Sequence, residues 1–286
     1  MHSIRERLAQ DVAALRETLD MERDEARSEV QALLQSVLDV NRAYLLAHPE
    51  RVLTEQEFSR YQSLLQRRLL GEPLAYIQGE REFFGLNFKV SPATLIPRAD
   101  TELLVEQALA RIPSQGPYRV LDLGTGSGAI AISIALARAD IEVTAVDASE
   151  VALAVAQENA RRLAVANVNL LRSDWYNALA GQRYNLIVSN PPYIAAADNH
   201  LSQGDLRFEP ISALASGTDG LDDIRRIIEG AHAHLEDGSW LLLEHGYDQA
   251  AAVRGLLNQA GFEKVCSDKD LAGIERVSRG CRPQEI

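Results

Sequence analysis

Residues 184–194 read YNLIVSNPPYI: an apolar run that stops on Asn190-Pro191-Pro192-Tyr193. The two prolines fix φ and remove two N–H donors. What remains is a rigid row of acceptors, the Asn190 side-chain oxygen and the Pro191 carbonyl. Two fixed acceptors suit a planar, conjugated NH2 group. Such a nitrogen is a poor nucleophile because its lone pair is delocalised. Gripping both hydrogens turns the group and raises charge on the nitrogen, a gain from positioning and electrostatics. Tyr193 would give the flat group a face to lie against. Planar NH2 groups occur on adenine, cytosine and the glutamine side chain, and the tetrapeptide alone does not choose among them.

A second cluster lies upstream. RVLDLGTGSGAIAISIALA places Gly124, Thr125, Gly126, Ser127 and Gly128 between an expected strand and helix. Glycines allow the tight turn and a close approach to bare backbone, and the helix N-terminus behind them offers unpaired N–H groups. The next strand should end on Asp147, where a carboxylate can hold ribose hydroxyls. The loop also passes the dinucleotide fingerprint, with Ala129 in the last place. Asp122, two residues before Gly124, argues against that reading. A carboxylate repels a pyrophosphate but attracts an ammonium. The acidic loop therefore favours S-adenosyl-L-methionine, which carries an adenosine, an ammonium and a sulfonium, over NAD. The third strand should end on Ser173-Asp174-Trp175, where Asp174 can accept from an adenine amine and Trp175 can cover the ring.

These groups must be positioned by a scaffold, and composition bounds it. The chain has 286 residues, 46% of them hydrophobic, enough for one large or two modest domains. A net charge of −12 makes a broad phosphate-binding surface unlike the default. No apolar stretch is long enough to span a bilayer, the N-terminus lacks a signal-peptide core, and Cys266 and Cys281 cannot build a disulfide framework. A cytoplasmic protein with free thiols and no metal site is expected.

Residues 1–80 are poor in glycine and rich in Leu, Arg, Glu and Gln, with Leu33, Leu34, Val37 and Leu38 at helical spacing. Thr54 and Glu57 form a capping box, and Gly71 supplies a stop. A small all-helical domain follows, read as a packing or partner-docking module. Residues 82–90 read as a short hairpin, within a linker at 81–100. From 101 to 286, strands are expected at 119–123, 142–147, 168–172, 185–190 and 239–244, alternating with helices at 101–111, 127–138, 149–163, 221–235 and 248–260. This alternation predicts an α/β fold with a mostly parallel sheet. Two last strands near 263–268 and 275–279, with no room for a helix between them, should pair antiparallel and complete seven. Glu244 and His245 end the fifth strand, where a lone histidine is more often structural than a base.

Taken together, LIVSNPPYI, LDLGTGSGAIAI, FKVSPATLIPRADTELLVEQAL, LRFEP and LLLEHG resemble the release factor glutamine methyltransferases, the PrmC (HemK) family. The likeness covers nearly the whole chain, and 82–110 is its specific part. It implies a Rossmann-like seven-strand methyltransferase sheet, last strand antiparallel, preceded by the helical domain, which would help dock the substrate. It further implies methyl transfer from S-adenosyl-L-methionine to the glutamine of the Gly-Gly-Gln motif in bacterial peptide chain release factors. On that basis Gly124 to Gly128, Asp147, Trp175 and Asn190 meet the cofactor. Asn190, Pro191, Pro192 and Tyr193 meet the glutamine, and Arg98 and Thr101 belong to a segment folded over the cofactor. The chain departs from the family pattern at Ala99, usually proline, and at Glu29-Val30-Gln31, where Asp-Ala-Glu is frequent. A monomer acting on a protein, without nucleic acid or membrane, is expected. The rival readings are an enzyme acting on a nucleobase amine and a cofactor-binding protein without turnover.

Overall fold

The computed structural model describes residues 2–284. It divides into two compact units. Among the described residues, one comprises 2–79 with 202–208, and the other 80–201 with 209–284.

The first unit is helical: α1 (Ile4–Leu19), α2 (Arg23–Leu38), α3 (Arg42–Ala47), α4 (Glu55–Leu69) and α5 (Leu74–Gln78). Helix α4 starts on the expected capping box: Thr54 Oγ1 accepts from the Glu57 N–H, and Glu57 Oε2 accepts from the Thr54 N–H at 2.9 Å. Gly71, just past its end, takes φ +92°, a left-handed conformation that favours glycine. Leu33 and Leu34 are fully buried among Ile4, Leu15, Val30 and Tyr61. Tyr61 donates a buried 2.7 Å hydrogen bond to Asp11. Glu29 pairs with buried Arg68 at 2.5 Å.

The second unit begins with a hairpin, β1 (Glu80–Phe83) and β2 (Leu86–Lys89), whose Phe83 and Phe88 join the unit's core. Then come α6 (Glu102–Leu109), β3 (Arg119–Leu123), α7 (Ala129–Ala137), β4 (Glu142–Asp147), α8 (Glu150–Arg162), β5 (Val168–Arg172), β6 (Tyr184–Ser189), α9 (Asp222–His234), β7 (Leu235–Glu244), α10 (Ala250–Gln259), β8 (Glu263–Lys269) and β9 (Glu275–Cys281). The sheet order is β5-β4-β3-β6-β7-β9-β8, parallel except for β9. Val120 and Val188 look toward α6 and α7, while Leu121, Leu123 and Ile187 pack with Ile224 and Leu257 of α9 and α10. The strands are thus apolar on both faces, as a parallel sheet between helical layers requires.

Among the boundaries that differ from expectation, two have clear local reasons. Helix α7 starts at Ala129 because Gly128 is left-handed, at φ +82°. Strand β7 starts at Leu235, earlier than residue 239, because a register shift lets Leu235 pair with Tyr184 before the regular ladder resumes at Trp240 and Leu186.

Candidate active site

The strand order reverses between β3 and β6. In open α/β sheets the loops after two such strands diverge and leave a crevice. Here those loops are 124–128 and 190–193. At the split, Ser189 Oγ donates to the Leu123 carbonyl at 2.7 Å and ties the two strand ends together beneath the opening. Above them lies a cavity of about 410 Å³, within the range that holds small ligands.

The glycine loop forms one wall. Gly124, Gly126 and Gly128 take φ of 73°, 56° and 82°. A Cβ on Gly126 would meet no protein atom within 4 Å, so that side is open to a ligand. Gly124 lies under the Trp175 ring, 3.5 Å from where a Cβ would be. Asp147 Oδ2 accepts from the Gly126 N–H at 2.9 Å and Oδ1 from the Ser149 N–H at 2.8 Å. Each carboxylate oxygen retains a second lone pair for hydroxyl donors. Trp175 sits at φ +50°, in a turn where Ser173 Oγ donates to its carbonyl at 2.7 Å.

Thr125, Ser127, Asp174, Asn190 and Pro192 also line the cavity; Gly128, Pro191 and Tyr193 do not. A Cβ on Gly128 would strike Ile132 at 2.8 Å, so this glycine serves the packing of α7. The Tyr193 ring is half-buried against the core beneath α9 and α10, and its carbonyl accepts from Gln249 Nε2 at 2.9 Å. Burial pushes its hydroxyl pKa up. Asp174 pairs with Arg226 at 3.0 Å. Asp122 lies under the loop, fully buried, and accepts from Thr125 Oγ1 at 2.6 Å. Desolvation raises its pKa to about 7.

Asn190 follows the last residue of β6. Its Nδ2 donates to Thr101 Oγ1 at 3.1 Å, which turns Oδ1 away from Thr101. Among the described residues, no donor engages the Pro191 carbonyl. Residues Thr94, Leu95, Pro97 and Thr101 supply another wall. That segment is held by Glu209, whose carboxylate is fully buried, accepts from the Ile96 N–H at 3.1 Å and pairs with Arg98. Arg98 itself does not line the cavity. His245 is buried and bonded to Ser278 Oγ and the Gly246 carbonyl, a structural histidine.

The residues fit a cofactor with an adenosine and no phosphate. Bare glycine backbone, the Asp147 carboxylate and the Trp175 ring stand together, and Arg226, the one cation among the described lining residues, faces Asp174 and Asp223.

A family model described as the methyltransferase small domain matches residues 99–205, and one described as the PrmC N-terminal domain matches 12–79. Release factor glutamine methyltransferases from Bordetella pertussis and Pseudomonas aeruginosa are 54% and 52% identical over 255 residues. They cover 89% of this chain and, respectively, 94% and 92% of their own. The Escherichia coli relative is 47% identical over 254 residues, covering 89% and 91%.

The chain belongs to the release factor glutamine methyltransferases.

A methyltransferase from Pyrococcus furiosus shares its fold at TM-score 0.54 and 19% identity, covering 78% of this chain and 99% of its own. The hMettl16 catalytic domain does so at 0.56 and 17%, covering 78% and 83%. No described helix is long and apolar enough to cross a membrane. Within this family member, sequence reasoning overlooked three residues that shape the site: Ser189, Asn159 and Glu244. Ser189 reads as a strand residue. Asn159 lies mid-helix in α8, yet joins Lys89 to Ser127. Glu244, noticed only beside His245, lies 2% exposed behind Thr101 and Asn190.

Proposed function

We propose that this protein transfers a methyl group from S-adenosyl-L-methionine to the side-chain amide nitrogen of the glutamine in the Gly-Gly-Gln motif of bacterial release factors, in the cytoplasm, and so modulates translation termination. The observation that carries the reading is the orientation of Asn190. Its NH2 is engaged by Thr101 and its oxygen is left as an acceptor, one residue beyond a strand that borders the glycine-loop cavity.

When bound, the cofactor supplies an electrophilic methyl carbon on a sulfonium sulfur. Gly124 to Ser127 would give it close backbone, Asp147 would hold its ribose hydroxyls, and Asp174 and Trp175 would flank its adenine. Asn190 Oδ1 and the Pro191 carbonyl accept the two amide hydrogens of the substrate glutamine. That grip twists the amide, localises charge on its nitrogen and holds it on line with the methyl carbon. No base is needed before attack, since the alkylated nitrogen is acidic enough to lose its proton afterwards. Pro192 lies along the flat group, and Tyr193 anchors the turn through Gln249. The helical unit contributes to release factor docking.

Incubation of the enzyme with cofactor and a release factor fragment, followed by intact-mass and fragment-ion analysis, should give a gain of one methyl group on the motif glutamine. A parallel arm offers labelled cofactor with duplex DNA. Label on DNA and none on the release factor would replace this reading with nucleobase methylation.

A further inference from the structure

We propose that Glu244 is a positioning residue: acting through Thr101, it fixes which end of the Asn190 amide faces the substrate. The inference rests on the reading of Asn190 as an acceptor and extends it to the residue that makes it one.

Glu244 ends β7, the strand beside β6. Ser189 is paired with Leu243, so Asn190 and Glu244 leave the sheet side by side. Thr101, from the turn before α6, accepts from Asn190 Nδ2, and the Thr101 and Asn190 side chains both lie beside the Glu244 carboxylate. An asparagine amide presents an oxygen at one end and an NH2 at the other, and only its partners decide which end points where. Ionised Glu244 accepts hydrogen bonds and donates none. The Thr101 hydroxyl then directs its hydrogen toward the Glu244 carboxylate beside it, which leaves Thr101 Oγ1 to accept from Asn190 Nδ2, the 3.1 Å contact observed. Asn190 Oδ1 is thereby turned toward the substrate. Among the described residues, Glu244 Oε2 is buried without a hydrogen-bond partner of its own, so the carboxylate is kept in place at a cost that plain packing does not require.

A protonated Glu244 would allow the opposite polarity. It could donate to Thr101, whose hydroxyl would then donate to a flipped Asn190 oxygen. The substrate would meet an NH2 where it needs an acceptor. Burial raises the Glu244 pKa to about 7, with Asp100 raising it further and Thr101, Arg276 and Asn190 opposing. Arg276 is itself shared with Asp100 at 3.2 Å and Asp270 at 3.3 Å. Tyr193 also faces the carboxylate, and burial keeps its hydroxyl neutral.

The test compares wild type with Thr101→Val, Thr101→Ser and Glu244→Gln on release factor and cofactor. Thr101→Val should lower kcat about 10- to 100-fold while the cofactor Kd stays within about threefold, and Thr101→Ser should recover most of that rate. Wild-type kcat should fall as pH drops through about 7. Glu244→Gln should be slower by about tenfold or more and lack that acid limb, because its amide donates as readily as it accepts. In the free protein, the Asn190 side-chain amide signals should titrate over the same range in wild type and not in Glu244→Gln. Should Glu244→Gln fail to fold, the Thr101 pair decides. Near wild-type kcat in Thr101→Val, or an acid limb and amide titration that survive in Glu244→Gln, would overturn the proposal while leaving the substrate reading intact. A wild-type enzyme that leaves the release factor unmodified would overturn both.

Discussion

Asn159 and Lys89 are joined through both ends of one amide. Asn159 Oδ1 accepts from the Lys89 N–H at 2.7 Å, and its Nδ2 donates to the Lys89 carbonyl at 2.9 Å. The same Nδ2 donates to the Ser127 carbonyl at 2.9 Å. One fully buried side chain in α8 thus closes the end of the hairpin and steadies the glycine loop. Asn159→Ala should leave these backbone groups without partners, at roughly 1–3 kcal/mol for each one buried. A lower melting temperature and weaker cofactor binding are expected. Asn159→Asp should be at least as damaging, because a carboxylate faces two carbonyl oxygens. Thermal melts and calorimetry check both.

Asn190→Ala removes the acceptor but leaves the glycine loop and Asp147 in place. The expected result is a kcat lower by about 10²- to 10³-fold, the scale of one lost transition-state hydrogen-bonding group. Cofactor affinity should change little. Single-turnover rates beside calorimetric Kd values measure the two effects separately. Unchanged transfer would remove Asn190 from the chemistry.

Two glycines of one loop should fail in different ways. Gly128→Ala meets Ile132 at 2.8 Å and Ala156 at 3.2 Å, at φ +82°. It should lower stability by more than the roughly 1–2 kcal/mol that a left-handed conformation costs a side chain. Gly126→Ala meets no protein atom but projects toward the cavity, so the backbone cost should come with a larger loss of cofactor affinity. Paired melts and binding isotherms separate these outcomes.

Burial holds Asp122 at a pKa of about 7, above its ordinary value. A carboxyl raised in this way favours the folded state while neutral. Its contribution is fully present below the unfolded value, near 3.9, and is lost as pH rises through about 7. Asp122→Asn should therefore flatten the fall in melting temperature between about pH 4 and 7. Glu244, raised to about 7 by the same cause, keeps part of that slope. The ionisation proposed to order Asn190 thus opposes stability.

Much of this protein was legible along the chain because the signals are local. Alternation of apolar strands with helices follows from burial on both sheet faces, and it set the order of elements from β3 to β9. The Thr54–Glu57 capping box lies within one helical turn. The glycine loop with Asp147, and the proline-stiffened turn after Asn190, are contiguous patterns whose backbone consequences hold wherever the chain puts them. What only the tertiary structure decided is how groups distant in sequence meet. Thr101 and Asn190 are 89 residues apart, yet share a hydrogen bond. Glu209 holds Arg98 from 111 residues away. Asp122, a candidate partner for the cofactor's ammonium along the chain, lies fully buried beneath the loop and bonded to Thr125 through one oxygen. Tyr193 packs into the core rather than along the cavity. A side chain's direction depends on the cross-strand neighbours that compete for it, and those neighbours exist only once the sheet has assembled.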